Sequence, residues 1–118
     1  MGFCFPGHDK HKGDLPPRRE CRAAWHDEIF ALMPQIEVIL AIGSYAHAYH
    51  SKRLGLSIKA GAPMRETVQR WREFAKGSPK VFVLPHPSWR NTGWLKANPW
   101  FETEVLPELR KQVALAIS

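Results

Sequence analysis

The sequence predicts an α/β protein: a three-layer α/β/α domain with a central parallel sheet that is incomplete on its N-terminal side. The first observation is the run "IEVILAIG" at 36–43, whose nearly continuous β-branched residues, closed by glycine, are typical of a strand buried on both faces. The second is "KVFVL" at 80–84, which predicts another strand. Helical segments flank both runs, and this order favours a parallel sheet covered by helices. Because two strands cannot complete such a sheet, we expect the missing strands to precede Met1.

The N-terminal third is predicted to be a loop followed by a helix. Residues 1–16 combine Gly, Pro and mixed charges, which is loop chemistry. Pro17 opens a helix that ends near Pro34. After the first strand, Ser44 is placed to cap a helix that runs through roughly Arg53. The apolar face of the first helix is predicted to carry Trp25, Ile29, Leu32 and Met33.

Two more helices flank the second strand. An amphipathic helix follows a loop rich in Gly at 55–63 and ends before Gly77; its inward residues are Met64, Val68, Trp71 and Phe74. Beyond the second strand, Asn98 caps a final helix with Pro99 at its first position, and Pro107 is expected to kink it. The residues of this helix predicted to face inward are Phe101, Val105, Leu109 and Val113.

Charge and composition limit the class of protein. Seventeen Lys and Arg against eleven Asp and Glu give a net charge of +6. This excess favours a polyanionic partner, nucleic acid above all, although such charges also form ordinary solvated faces. No apolar run approaches the length of a membrane span, and no signal peptide is recognisable, so we expect a cytoplasmic protein. In that compartment the two cysteines are not expected to form a structural disulfide.

The stretch "LPHPSWRN" at 84–91 draws attention to His86, which lies between two prolines directly after a strand. Prolines on both sides restrict the backbone and end the strand, so the imidazole is fixed at the edge of the sheet. Open α/β sheets bind ligands at the carboxyl ends of their strands, where Gly43 and Ser88 also fall. A reactive histidine is one interpretation; a loop histidine that hydrogen-bonds locally is the other.

Three segments together carry a resemblance. "HPS" after a strand, then a short loop and an amphipathic helix, resembles the second signature motif of the uracil-DNA glycosylase superfamily. "VILAIGSYAHAYH" is similar to the strand, glycine and Ala-rich helix that precede this motif in its bacterial and archaeal branches. "GFCFPG" followed by "PRRECRAAW" resembles the cysteine-bearing segment of the iron-sulfur branch. The likeness covers nearly the whole chain, so residues 1–118 are expected to be the C-terminal part of one such domain.

The resemblance implies removal of uracil or a related damaged base from DNA. His86 would then stabilise the anionic base as it departs, and Gly43 would lie beside the pocket. Ser88 would make a backbone or phosphate contact. Trp89, Arg90 and Asn91 would belong to the loop that family members push into the duplex, with Trp89 as a wedge and Arg90 on a phosphate. The alternative for Trp89 is that it packs the loop onto the last helix.

The resemblance also implies a cofactor. Cys4 and Cys21 flank a Gly/Pro loop and would supply half of the thiolates of a 4Fe-4S cluster. A rival interpretation is zinc bound by these cysteines with His8 and His11, which we disfavour because "HDKHK" has the charge of a solvated loop. Two inert buried thiols remain a third possibility. His47 and His50, three residues apart on one helix, have no obvious third ligand and are assigned to packing or solvent.

One departure from the family separates two hypotheses. The family's first motif, a loop containing Gly and Pro with the residue that positions the water, has no counterpart in these 118 residues. A monomeric DNA-repair glycosylase that is inactive as this chain alone is therefore expected. The alternative is a superfamily relative that binds nucleic acid without catalysis, or a truncated product. DNA is the expected partner under both hypotheses, and a membrane is not expected.

Overall fold

The computed structural model describes residues 5–59 and 61–118. The chain divides into two compact units, with the boundary between Ile36 and Glu37. No helix in the described ranges has the length and apolar character needed to cross a membrane.

The first unit begins with a tight exposed loop. The carboxylate of Asp9 accepts hydrogen bonds from the backbone N–H groups of His11 (2.8 Å) and Gly13 (2.9 Å). The backbone N–H of Leu15 donates to the carbonyl of Gly7 across the base of the loop. Residues 8–14 are all exposed, so the interpretation of "HDKHK" as a solvated loop is confirmed.

Helix α1 (Arg19–Ala31) follows and ends near the predicted position. The predicted apolar face is wrong, because Trp25 is 54% exposed and Leu32 81% exposed. The buried residue is His26, and Ile29 and Met33 are half-buried. The covered stripe is thus rotated by one residue from the one that apolar spacing selects. Spacing identifies the most apolar side of a helix, and burial depends on where its neighbours lie.

A two-stranded parallel sheet forms the centre of the second unit. Strands β1 (Val38–Ile42) and β2 (Lys80–Leu84) pair in register from Val38 opposite Lys80 to Ile42 opposite Leu84. In β2, Val81, Phe82 and Val83 have no exposed surface. Because successive side chains point to opposite faces, both faces of β2 are covered, as a three-layer arrangement requires. The α/β class and the parallel sheet are confirmed.

Strand β1 differs from its prediction. Leu40 is 46% exposed and Ile42 43% exposed, whereas Ala41 is buried. Leu40 and Ile42 share one face of the strand, so that face is only half covered and the expected burial on both faces is wrong. An apolar run indicates only that both faces of a strand can be buried. In this strand the described residues cover one face.

Strand β1 contacts two helices, α2 (Ser44–Arg53) and α6 (Leu106–Ile117). Strand β2 contacts α3 (Met64–Gln69) and α4 (Trp71–Phe74). The single helix predicted across Met64 to Phe74 is broken at Arg70, whose backbone leaves helical geometry. The Arg70 guanidinium reaches back to the carbonyl of Ser57 at 2.7 Å and pairs with Glu73. The predicted inward residues Val68, Trp71 and Phe74 are nevertheless buried.

The C-terminal segment contains a short helix α5 (Thr92–Ala97), a π-helical turn over Phe101–Val105, and α6. Pro107 was expected to kink a single final helix, but it lies in the first turn of α6, directly after the π-helical turn, where its missing N–H leaves no helical hydrogen bond unmade. Phe101 and Val105 are buried as predicted. Leu109 and Val113 are only half-buried.

Candidate active-site loop

The carboxyl ends of the two strands lie side by side. Ile42 and Leu84 are paired, and the N–H of Gly43 donates to the carbonyl of Leu84 at 3.1 Å. Gly43 has φ 85° and ψ 167°, a conformation that is essentially restricted to glycine. Space around it is open, because a Cβ there would meet no atom of the described residues within 4 Å. Gly43, not Ser44, occupies the N-cap of α2, and no side chain caps this helix.

The loop after β2 holds the backbone of His86 and leaves its side chain free. Pro85 is buried, whereas His86 is exposed. The carbonyl of His86 accepts hydrogen bonds from the N–H of Ser88 (2.8 Å) and from Nδ2 of Asn91 (2.5 Å). The imidazole makes no hydrogen bond with the described part of the chain. Local bonding therefore involves the main chain of this residue, and the ring remains available to a ligand.

Ser88 and Asn91 shape this loop from within. Ser88 Oγ accepts a hydrogen bond from the N–H of Arg90 at 3.3 Å and so caps the 3₁₀ turn Trp89–Asn91. The N–H of Asn91 donates to the carbonyl of Ser88 at 2.9 Å. The sequence suggested DNA contacts for these two residues, and it gave no sign that their side chains brace the loop.

Trp89 and Arg90 project from the turn. Trp89 is 81% exposed, so the alternative that it packs the loop onto the last helix is wrong. The guanidinium carbon of Arg90 lies 5.7 Å from the centre of the Trp89 ring, within the range of a cation–π contact. An exposed aromatic ring beside a cation is suited to contact a charged, stacking partner such as a nucleic acid.

A cleft of about 400 Å³ opens beside His86. Its walls come from the two strand ends, the loop, α5 and the C-terminal segment, and none of the described residues that line it is acidic. Because none of these lining residues carries a negative charge, the cleft is suited to a ligand that gains negative charge. Its lining residues are Ile42, Leu84, Pro85, His86, Pro87, Ser88, Trp89, Asn91, Thr92, Leu95, Phe101 and Leu106.

An aromatic cluster joins α5 to the segment that follows it. The Trp94 ring lies edge-on to the rings of Trp100 and Phe101, with centres 6.0 and 5.7 Å apart. Asn98 is 3% exposed; its Nδ2 donates to the carbonyl of Trp94 at 2.8 Å, and its Oδ1 accepts from Nε1 of Trp100 at 3.2 Å. Asn98 was predicted to cap the final helix, but its side chain instead ties α5 to the tryptophan that follows Pro99.

His47 is a residue that sequence reasoning left without a role. It lies in the first turn of α2, is 4% exposed, and directs Nε2 at the carbonyls of Ala41 (2.9 Å) and Leu84 (2.8 Å). Burial lowers the pKa of His47, and hydrogen bonds to these carbonyls partly oppose the effect. The available signal was its position four residues after Gly43, where a helical side chain can reach back to the strand ends.

The predicted metal ligands belong to the first unit. Cys4 lies outside the described residues, and Cys21 is a half-buried thiol on α1. Across 5–59 and 61–118, no three His, Cys, Asp or Glu side chains converge as a metal site would require. His8 instead lies 3.3 Å from the carboxylate of Asp14.

The family model of the uracil-DNA glycosylase superfamily matches residues 3–110. Because the match spans most of the chain, the protein belongs to this superfamily of DNA-repair hydrolases, which act on DNA. The matched range contains both strand ends, the His86 loop and the predicted cysteine ligands. The resemblance seen in the sequence is confirmed at the level of the family.

Proposed function

We propose that this protein removes uracil or a related damaged base from DNA by hydrolysing its N-glycosidic bond. The observation that carries the proposal is the geometry of His86. Its backbone is fixed on both sides, and its ring borders an apolar cleft at the carboxyl ends of two parallel strands. In a member of this superfamily, that combination fits a residue that acts on the base itself.

The chemistry assigned to His86 is electrostatic. Breaking the bond between the sugar and the base leaves negative charge on the base oxygens, and an imidazole N–H directed at one of them stabilises that charge in the transition state. Most of the residues that line the cleft are apolar, so a base that fills it would displace water and strengthen this interaction. A backbone held in advance needs little reorganisation as the charge develops. The hydrogen bonds to the His86 carbonyl hold the backbone of this residue, and its ring is free to turn toward the base.

The exposed turn is suited to the DNA. A base that enters the cleft must leave the helical stack, and something has to fill the gap. We assign Trp89 to that gap and Arg90 to an adjacent phosphate, because both project into solvent next to the cleft. The open space at Gly43 would let the DNA or base approach the backbone of the neighbouring strand end.

Hydrolysis also needs a group that positions water. None of the described residues lining the cleft is acidic, and the 118 residues contain no counterpart of the family's water-positioning loop. We therefore propose that the 118-residue chain alone does not release the base. This observation also favours a second candidate function, which is recognition of DNA without hydrolysis.

A cluster is proposed for the first unit. The sequence has two cysteines, so Cys4 and Cys21 supply at most half of a four-thiolate site, and a 4Fe-4S cluster needs further thiolates from outside these 118 residues. We assign such a cluster a structural role, because metal binding in sites of this kind is coupled to folding. Zinc bound through His8 and His11 is disfavoured, because His8 already pairs with Asp14.

The test is release of uracil from a labelled oligonucleotide that contains one uracil, with a thymine oligonucleotide as control. A chain that also carries the family's water-positioning loop, in excess over DNA, is expected to release uracil and to leave thymine in place. The 118-residue chain is expected to release neither. Release by the 118-residue chain would overturn the need for a separate water-positioning loop. If that longer chain binds the DNA but releases no uracil, the second candidate function, recognition without hydrolysis, is established.

A further inference from the structure

We infer that His47 is a positioning residue for His86: its Nε2–H ties together the carboxyl ends of the two strands and so fixes the start of the His86 loop. The inference rests on the proposed function, because it assigns His47 a task in the same site. Three geometric observations support it.

The first observation is the hydrogen bonding of His47. Its Nε2 lies 2.9 Å from the carbonyl oxygen of Ala41 and 2.8 Å from that of Leu84. Both partners are carbonyls and can only accept, so Nε2 is the protonated nitrogen and donates to both. Burial lowers the pKa of His47, which favours the neutral ring with this single tautomer. One buried side chain thus joins the carboxyl end of β1 to the last residue of β2.

The second observation is the short path from this bond to His86. The carbonyl of Leu84 receives the N–H of Gly43 at 3.1 Å as well as His47 Nε2. Two donors on one carbonyl restrict rotation of the peptide that enters Pro85. The ring of Pro85 fixes the next backbone torsion, φ, near −65°. Few soft torsions therefore remain between the strand end and the Cα of His86.

The third observation is that the loop is braced on its other side by different residues. Ser88 N–H and Asn91 Nδ2 hold the carbonyl of His86 from the C-terminal direction. Without His47, the hydrogen bonds to the His86 carbonyl would remain. The carbonyl of Leu84, however, would keep one donor, the N–H of Gly43, instead of two. A displacement of about 1 Å at a reacting group can lower a rate by about 10²-fold.

The test compares two amide variants of the protein. A Gln side chain at position 47 can place its amide nitrogen close to the position of Nε2, whereas Asn is one methylene too short. In single-turnover release of uracil, His47→Asn is expected to be about 10–100-fold slower than wild type with unchanged DNA affinity. His47→Gln is expected to recover most of the rate. His50→Asn is the matched control, since His50 is 2% exposed on the same helix and is expected to leave the rate near wild type.

A second readout needs no activity. In NMR spectra of the free protein, His47→Asn should shift the His86 ring and loop amide resonances, and His47→Gln should leave them near wild type. If a wild-type chain that also carries the water-positioning loop releases no uracil, the proposed function fails while this comparison still tests the positioning. Identical His86 spectra in wild type and His47→Asn, or equal rates for Gln and Asn, would overturn the inference. If His47→Asn does not fold, the tautomer of His47 in the wild-type protein is the test. A proton on Nε2 would support the inference, and a proton on Nδ1 instead would overturn it.

Discussion

Strands β1 and β2 have the same length and pair residue by residue, but they differ in cover and in the segment that each one leads into. The centre of β2 is fully buried, whereas Leu40 and Ile42 of β1 remain nearly half exposed. After β1 the chain turns at Gly43 into a helix whose first turn sends His47 back to the strand ends. After β2 it enters a loop that presents His86 outward. The end of β1 supplies hydrogen-bond donors, and the end of β2 displays the side chain that we propose acts on the base.

The difference in cover predicts the largest effect on stability. Phe82→Ala removes a ring with no exposed surface that stacks on Trp71, and is expected to cost about 3–5 kcal/mol. Leu40→Ala on the partner strand is expected to cost only about 1 kcal/mol, because much of that side chain is already in water. Denaturant unfolding of both variants measures the difference. Equal costs would show that the exposed face of β1 is covered in solution.

The turn after β1 predicts the next effect. Gly43→Ala is expected to lower the free energy of unfolding by about 1–3 kcal/mol, because φ 85° with ψ 167° is strained for any residue with a Cβ. No steric clash contributes, since the space there is open.

Gly93→Ala is the matched control for that turn. Gly93 also has open space around it but lies within α5 without positive φ, so alanine should be neutral or stabilise by about 0.5–1 kcal/mol. A Gly43→Ala protein as stable as wild type would mean that the strand end relaxes easily.

The buried donor at the end of β1 predicts a pH dependence. The pKa of His47 is lowered below its ordinary value of 6.5 in the folded protein, mainly by burial. The unfolded chain therefore binds the proton more readily, so this contribution to stability is fully present above pH 6.5 and is lost as pH falls from there through the lower pKa of the folded protein. On acidification the free energy of unfolding of wild type should fall relative to that of His47→Gln, since glutamine does not titrate. A constant difference across that range would contradict a buried neutral His47.

The exposed end of β2 predicts the smallest effect. Arg90→Ala should reduce the slope of log K against log salt for duplex DNA by about 0.9, the contribution of one phosphate contact. Arg110→Ala on α6 removes the same charge from an exposed position outside the loop and should leave more of the slope intact. Equal losses in the two variants would mean that only the overall charge matters.

Local chemistry explains what could be predicted from the sequence. Pro85 and Pro87 end the second strand on either side of His86, and Gly43 ends β1. Both strand ends were therefore predictable from single residues. The inward residues of α3 and α4 also followed from their spacing.

Contacts between distant segments account for what was missed. The carbonyl of Leu84 lies 37 residues from its partner His47, and no local pattern encodes that bond. The break at Arg70 depends on Ser57, 13 residues away, and the uncovered face of β1 depends on which segments lie beside it. The sequence therefore predicted where the two strands end, and the structure was needed to show which side chains hold those ends in place.

Single-turnover release of uracil, by a chain that also carries the water-positioning loop, tests most directly whether the His86 imidazole stabilises the departing base. His86→Ala is expected to lower the rate by about 10²–10³-fold, the scale of one lost donor to a developing anion, with DNA affinity nearly unchanged. His11→Ala, which removes an exposed imidazole from the N-terminal loop, is expected to keep the wild-type rate. A His86→Ala enzyme that releases uracil at the wild-type rate would contradict the role assigned to His86.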